Sequence, residues 1–220
     1  MPDVIRAKAF QVVDDEGNGL LSLVGLRGAG AVVIFDRTGE MVVTVGAMEV
    51  DGKRAGLVGT FLEGRILVQL GFGGGSVTDG VRNYGGKVMT YNDQEKPVVE
   101  LGVTKRGQGT VTTWNDQGKE LVKLGATKGG RGTVTTSNDQ GKEIVKLGAT
   151  VEGDGTITTF DGQGKQLVDI GIMVDGEGGR LQVYNKTGEF VCILAVDEYG
   201  NGVIGAFDRN GKGRTLKPGP

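Results

Sequence analysis

The side chains that most often perform catalysis or bind transition metals are nearly absent from this sequence. The 220-residue chain contains no histidine, and Cys192 is its single cysteine. Imidazole is the usual general base and zinc ligand, and a nucleophilic cysteine needs such a base beside it. Acidic pairs such as Asp14-Asp15 stand at turn positions, where carboxylates act as turn caps more often than as calcium ligands. The sequence therefore predicts no catalytic residue, no metal site and no cofactor, and it indicates that the protein is not an enzyme.

A glycine-rich stretch, Phe72-Gly73-Gly74-Gly75-Ser76, has the composition of a loop that binds anions through successive backbone amides. It lacks the Gly-Lys-Ser/Thr ending of a phosphate-binding loop, and no helix is predicted after it. We interpret 72–87 as a loop inserted into a regular pattern. Because loops often carry binding residues, Arg82 and Tyr84 are candidate contacts for a glycan or a partner chain.

Aromatic residues recur at one position, just before successive predicted turns. Trp114, Phe160 and Tyr184 occupy this position, as do Phe35, Tyr91 and Phe207, whereas Ser137 interrupts the series. Such a stripe suits stacking against sugar rings or another protein, so Trp114, Phe160 and Tyr184 are also candidate contacts. The alternative is that the rings pack along one edge of a repeat array, because repeats reuse their core positions.

Composition and charge exclude several classes of partner. The 25 basic residues nearly balance the 27 acidic ones, so nucleic acid is not an expected partner. No apolar stretch approaches the length of a membrane-spanning helix, and membrane insertion is not expected. The first residues, Met1-Pro2-Asp3, lack the order of a secretory signal.

The chain is a tandem repeat with a period near 23 residues. Segments 109–131 and 132–154 share 18 identities over 23 positions, and 155–177 continues the pattern. A D/N-x-x-G turn marks each repeat, and Glu95 stands where one turn glycine is expected. The marker glycines are Gly17, Gly39, Gly64, Gly118, Gly141, Gly164, Gly188 and Gly211.

Each repeat reads as two short strands. Before the turn, Ile157 and Thr159 share one face and Phe160 lies on the other, which is the period of a β-strand. The Asx-initiated turn with its glycine predicts a type I turn with a G1 bulge, and a second glycine-rich reversal ends the repeat. About nine repeats therefore predict about eighteen strands.

We expect an all-β fold of tandem hairpin repeats forming an elongated β-meander, β-prism or β-solenoid-like array. A parallel solenoid would stack Lys119, Lys142 and Lys165 about 4.8 Å apart, whereas a meander places them about 9.5 Å apart, so the charges favour the meander. We predict a single array over 1–220. It comprises an atypical first repeat (1–30), regular repeats (31–71 and 88–200), the loop 72–87 and a C-terminal cap or tail (201–220).

The segments 35–46 (FDRTGE-MVVTVG), 114–125 (WNDQGK-ELVKLG) and 184–195 (YNKTGE-FVCILA) resemble a family of uncharacterised bacterial tandem-repeat proteins. They are more loosely similar to the shafts of phage tail fibres and bacterial adhesive fibres. The pattern departs from the family at Glu95-Lys96-Pro97 and in 72–87. The resemblance implies a passive shaft, coat or adhesive element.

Our functional expectation is a non-enzymatic structural protein that builds an extracellular, cell-surface or virion appendage fibre by self-association, as a homo-oligomeric trimer or a filament. The alternative is an adhesion module that binds a glycan or a protein through the aromatic stripe or the 72–87 loop.

Overall fold

A computed structural model describes residues 8–26, 29–50, 53–78, 81–104, 106–173 and 178–217. Within these residues the chain forms eighteen β-strands and no helix. The strands are β1 (Ala9–Val13), β2 (Gly19–Leu26), β3 (Ala29–Phe35), β4 (Met41–Val50), β5 (Lys53–Leu62), β6 (Arg65–Thr78), β7 (Val81–Tyr91), β8 (Pro97–Val103), β9 (Gly109–Trp114), β10 (Glu120–Ala126), β11 (Gly132–Ser137), β12 (Glu143–Ala149), β13 (Gly155–Phe160), β14 (Gln166–Ile172), β15 (Gly179–Tyr184), β16 (Phe190–Val196), β17 (Gly202–Phe207) and β18 (Gly213–Leu216).

The Asx turns have the predicted geometry. At Asp36, the backbone N–H donates to Glu40 O (2.8 Å), and Gly39 N donates back to Asp36 O (3.1 Å). Oδ1 of Asp36 accepts from the amides of Thr38 and Glu40, which satisfies two turn donors. Gly39 has a φ of 86°, as a type I turn with a G1 bulge requires. The same turn begins at Asp14, Asp36, Asn92, Asn115, Asn138, Asp161, Asn185 and Asp208.

The second reversal of the repeat uses the same backbone turn with a weaker cap. Thr127 N donates to Arg131 O (2.8 Å), and Gly130 N donates to Thr127 O (3.0 Å). The hydroxyl of Thr127 accepts from Arg131 N at 3.3 Å, in place of an Asx carboxylate or amide. Thr104, Thr150 and Asp197 begin equivalent turns. Both edges of the repeat therefore close with one turn type.

Two turns depart from the sequence pattern. Gly64 was expected to mark a D/N-x-x-G turn, but Glu63 (φ 51°) and Gly64 (φ 74°) form a two-residue turn between the paired residues Leu62 and Arg65. Positive φ at both positions is the signature of a type I′ hairpin. Glu95 occupies the glycine position of its turn with a φ of 57°, a conformation that costs a residue with a Cβ more than it costs glycine.

The chain divides into two compact units, Met1–Gly118 and Lys119–Pro220, and each is an antiparallel meander. In the N-terminal unit, consecutive strands pair from β1 to β9. In the C-terminal unit they pair from β10 to β18. The all-β hairpin-repeat fold and the preference for a meander over a parallel solenoid are confirmed.

Most of the segment 72–87 is strand and not the predicted loop, because residues 72–78 belong to β6 and residues 81–87 belong to β7. β6 and β7 continue the hairpin through it, with Phe72 opposite Gly86, Ser76 opposite Asn83 and Thr78 opposite Val81. A register shift between Gly73 and Ser76 absorbs part of the glycine run, as β-bulges do. The inserted residues lengthen two strands because backbone pairing satisfies their amides without help from the side chains.

The predicted C-terminal cap or tail, 201–220, is mostly a further hairpin. β17 and β18 pair with Ile204 opposite Leu216 and Phe207 opposite Gly213. This hairpin lacks the register shift that follows the Asx turns of hairpins such as β11–β12, where Thr136 pairs with Val145 and Ser137 with Glu143. Regular pairing extends as far as Leu216.

Candidate functional site

One face of each meander carries an unbroken row of apolar residues, here called the aliphatic row. Cross-strand registers place one apolar residue from every strand in it. In the N-terminal unit the row is Phe10, Leu23, Val32, Val45, Val58, Leu70, Val88, Leu101 and Val111. In the C-terminal unit it is Leu124, Val134, Leu147, Ile157, Ile170, Leu181, Leu194, Ile204 and Leu216.

The aliphatic row remains open to solvent. Leu101 is 48% exposed and Leu147 is 41% exposed, and similar values apply to Leu23, Val45, Leu124, Ile170 and Leu194. No charged residue interrupts the row in either unit. The exposed side chains of one row cover roughly several hundred Å², the size at which an apolar patch on a soluble protein indicates an interaction site. We call the face that carries this row the aliphatic face.

The opposite face of each meander, here called the aromatic face, is where side chains pack most closely. Every residue classed as buried among those described lies in its central row. These residues are Ser22, Gly59, Met89, Thr112, Asp169 and Gly205. The core of each unit is therefore a thin polar and mixed layer on this face.

The aromatic stripe explains part of this packing. The hydroxyl of Tyr91 donates to Gln69 Oε1 (3.0 Å), and that of Tyr184 donates to Gln182 Oε1 (3.0 Å), two residues earlier on its own strand. At Gly205, a Cβ would lie 2.7 Å from the ring of Phe207, so only glycine leaves room for that ring. Rings of the stripe thus fold back over their own sheet.

An ion pair with a buried carboxylate also lies on the aromatic face of the C-terminal unit. Asp169 is 9% exposed, and its carboxylate accepts from Arg180 Nη2 (3.0 Å) and from the Thr158 hydroxyl (3.2 Å). Nε of Arg180 is buried and has no acceptor in the described residues. Removing the carboxylate would leave the guanidinium poorly compensated.

A cavity of about 480 Å³ opens on the aromatic face of the N-terminal unit. Its apolar walls are Met89, Pro97 and Trp114, and its polar groups come from Lys96, Glu100 and the turn at Gln117-Gly118. The volume and the apolar lining with few polar groups are typical of small-ligand sites. Met89 forms a closed floor, because it is only 7% exposed.

The carboxylate of Glu100 lines the cavity and has charged and polar neighbours. Glu100 forms an ion pair with Lys87 at 3.7 Å. Burial raises the pKa of the neighbouring Tyr91 hydroxyl, and the charge of Glu100 raises it further. Lys96 Nζ is committed to the Asp116 carbonyl at 2.7 Å. Among the described lining residues Glu100 is the one acidic side chain, whereas glycosidases act with a pair of carboxylates.

The candidate contacts predicted from sequence are distributed over both units of the chain. Trp114 lines the cavity, whereas Phe160 and Tyr184 lie in the C-terminal unit, half-buried at the ends of β13 and β15. Arg82 and Tyr84 belong to β7, and their side chains lie outside the described part of the structure. Sequence analysis missed Met89 and Glu100, which become neighbours of Trp114 only through strand pairing. The departure at Lys96-Pro97 was the one local signal.

The acidic turn residues act as caps, as predicted. Oδ1 of Asp14 accepts from the amides of Glu16 (3.0 Å) and Asn18 (2.8 Å). In the described residues, no three acidic or cysteine side chains come together in a way that could hold a metal ion. Those residues also contain no helix that is long and apolar enough to cross a bilayer.

Comparison with known proteins does not assign the chain to a family. No protein-family model matches it, and no curated protein matches it significantly.

Proposed function

We propose that this chain is a non-enzymatic structural protein that self-associates through its aliphatic face to build an extracellular or appendage-type fibre. The observation that supports this proposal is the aliphatic row, which every strand continues and no charge interrupts. Burying roughly 800 Å² from each partner is enough for a stable interface, and the rows of two or three copies supply apolar area on this scale. A second copy is a matching partner, because the row is repetitive and apolar throughout, so that the same surface on two copies can bury itself.

The aliphatic row also accounts for the near identity of consecutive repeats in the middle of the chain. Leu124 and Leu147 occupy the same row position in consecutive repeats, so each added repeat extends the interface by an equal step. A fibre whose length is set by repeat number needs this additivity. Turn glycines and Asx caps maintain the strand spacing, and the aromatic face supplies the internal packing.

Light scattering coupled to size-exclusion chromatography, with negative-stain imaging of the same peak, tests this function. We expect a trimer or a filament instead of a 22.9 kDa monomer. Leu147→Lys inserts a charge into the aliphatic row and should reduce the associated fraction at least tenfold. Val151→Lys makes the same kind of change at an exposed turn residue, so it is the matched control and should have no effect. A monomeric wild-type chain would reject the proposal.

A second candidate function, adhesion by glycan binding, rests on the cavity beside Trp114. An indole face stacks on the C–H face of a sugar, and a carboxylate such as Glu100 accepts hydrogen bonds from sugar hydroxyls. Trp114 is the only tryptophan in the chain, so its fluorescence reports on this cavity directly.

Fluorescence titration with glucose, galactose, N-acetylglucosamine and their disaccharides tests the adhesion function. Saturable quenching that Glu100→Gln weakens about tenfold would support it. Glu152→Gln, at an exposed turn residue in the other unit, is the control and should leave any binding unchanged. An unchanged spectrum up to high millimolar sugar would reject it.

A further inference from the structure

We propose that copies of this chain join head to tail, with β18 of one copy pairing in antiparallel fashion with β1 of the next. This inference deepens the proposed self-association and depends on it, because it adds a specific axial contact to the lateral contact of the aliphatic faces. A contact between two different edges leaves one of each edge free on every dimer, so it adds further copies and builds an open filament when the rotation per copy does not close a ring.

The two end strands provide free edges. Among the described residues, β1 pairs with β2 and β18 pairs with β17, so each has one side without a partner strand. Every residue of both strands is exposed. An exposed edge presents unpaired N–H and C=O groups that pair readily with another strand. Because β1 is odd and β18 even in a meander, adding β1 after β18 continues the alternation of strand direction.

The side-chain pattern fits across this junction. Leu216 ends the aliphatic row of the C-terminal unit, and Phe10 begins that of the N-terminal unit. Placing them opposite each other puts Thr215 opposite Gln11 on the aromatic face, so polar residues also continue their own row. The side chains of Leu216 and Phe10 are 72% and 56% exposed, and both would become covered. A shift by one residue would place apolar against polar side chains.

Basic side chains connect successive turns on the side of the sheet where the Asx turns lie. The last of these turns has a lysine at the same position. In each case a basic residue just after one turn donates to the next Asx turn along the chain, and Arg65 follows the Glu63-Gly64 turn whereas the other three follow Asx turns. The bridges run from Arg65 to Asp93 O (2.7 Å), from Lys96 to Asp116 O (2.7 Å), from Lys142 to Gln163 Oε1 (3.3 Å) and from Lys165 to Lys186 O (2.9 Å).

Lys212 holds the same place in the last Asx turn as Lys96 and Lys165 hold in theirs. No following Asx turn exists among the described residues for its ammonium group to reach. In the proposed junction, the first Asx turn of the next copy stands there, and the carbonyl of Asp15 is at the position that Asp116 and Lys186 use as acceptors.

The charges of the two ends are also opposite. The first Asx turn contains Asp14, Asp15 and Glu16. The last turn and β18 contain Asp208 together with Arg209, Lys212 and Arg214, so their net charge is positive. Most internal turns mix the two signs, as in Asp116-Gln117-Gly118-Lys119. Such complementarity between different ends favours head-to-tail association over head-to-head or tail-to-tail contacts, which would oppose like charges.

Charge reversal in the full chain tests the contact. Lys212→Glu alone and Asp15→Lys alone should each weaken axial association about tenfold and shorten the filaments, as seen by sedimentation velocity and negative stain at low salt. The double variant Asp15→Lys/Lys212→Glu should restore it, because opposite charges then face each other again at positions 15 and 212. Failure of the double variant to recover would overturn the proposal.

A crosslink fixes the register and separates this proposal from the lateral one. With Cys192→Ser as background, Phe10→Cys/Leu216→Cys places two thiols directly opposite across the junction, within disulfide reach. Oxidation should give a ladder of covalent multimers on a denaturing gel, and either cysteine alone should give no ladder, because it has no thiol opposite it across the junction. A monomer band, with or without an internal disulfide, would overturn the head-to-tail contact.

The lateral contact can fail independently. Adding Leu147→Lys to the double-cysteine variant should abolish bundling while leaving the ladder intact. If Leu147→Lys instead has no effect on the wild-type assembly and the ladder still forms, the axial contact stands and the aliphatic-face interface is wrong. If wild-type filaments persist although no ladder forms, the lateral proposal survives and the axial one does not.

Discussion

The two faces of each meander are made by alternate residues of the same strands, yet they use those residues differently. The aliphatic face is uniform from strand to strand and half-exposed, whereas the aromatic face is irregular in sequence and contains every residue classed as buried among those described. Internal stability therefore depends mainly on the aromatic face. The aliphatic face has kept apolar residues that the isolated chain only partly buries, which is the arrangement expected of a contact surface.

The largest expected effect on stability is at the buried ion pair of the aromatic face. Asp169→Ala removes two hydrogen bonds and leaves Arg180 without its carboxylate. We expect a loss of about 2 to 3 kcal/mol in the free energy of unfolding, measured by urea titration of dilute protein. Glu143→Ala, at an exposed residue of β12, is the control and should change stability by less than about 0.5 kcal/mol. Equal effects of the two variants would contradict the assignment of the core to the aromatic face.

A matched pair of truncations compares the faces directly on adjacent strands. Met89→Ala on the aromatic face should cost about 2 kcal/mol, because the side chain is almost fully buried. Leu101→Ala on the aliphatic face should cost about 1 kcal/mol in the monomer, because nearly half of the side chain is already in solvent. The order should reverse for self-association, which Leu101→Ala weakens and Met89→Ala does not. A larger monomer cost at Leu101 would show that the aliphatic face is the true core.

Turn chemistry and strand period made most of the fold predictable from sequence. Asn138, Gly141 and their equivalents determine the reversal within five residues, so no long-range information is needed. The alternation of Ile157, Thr159 and Phe160 likewise assigned the faces correctly. The segment 72–87 was misjudged because glycine has low strand propensity, and its strand conformation comes from pairing between distant residues.

The cavity could be predicted only in part. Trp114 was identified from its place in the stripe, but Met89 and Glu100 join it through the pairing of β7, β8 and β9. The spacing of residues in the sequence does not determine the register in which these three strands pair. Nor could it show that ring hydroxyls turn inward to Gln69 and Gln182, because that depends on which face each ring folds over.

A smaller effect is expected at the one Asx turn that lacks its glycine. Glu95 adopts a φ of 57°, which glycine accepts without steric cost. Glu95→Gly should stabilise the chain by about 0.5 to 1 kcal/mol, the relief of strain exceeding the added entropy of the unfolded glycine. Gly118→Ala, at the equivalent position with a φ of 75°, should destabilise by about 1 kcal/mol. Both are measured by thermal unfolding, and a destabilising Glu95→Gly would show that the Glu95 side chain contributes more than its backbone costs.

The smallest effect concerns the turn caps, which lie at strand ends and belong to neither face. Backbone N–H groups of Lys165 and Gln163 donate to Asp161 and lower the pKa of its carboxyl below the usual 3.8. A carboxyl with a lower pKa in the folded chain stabilises the fold above its unfolded pKa, and this contribution is lost as the pH falls through the folded pKa. Asp161→Asn keeps an acceptor that does not titrate, as Asn138 does in the preceding repeat.

Stability of the Asp161→Asn variant should therefore fall less steeply than that of the wild type below about pH 4, with little change at pH 7. The reciprocal variant, Asn138→Asp, should fall more steeply over the same range. Unfolding curves at several pH values between 2 and 7 measure both slopes. Identical slopes for all three chains would show that the caps act through geometry alone. Different slopes would show that Asp caps make the turns at the strand ends sensitive to acid, while the stability of the meander depends mainly on its aromatic face.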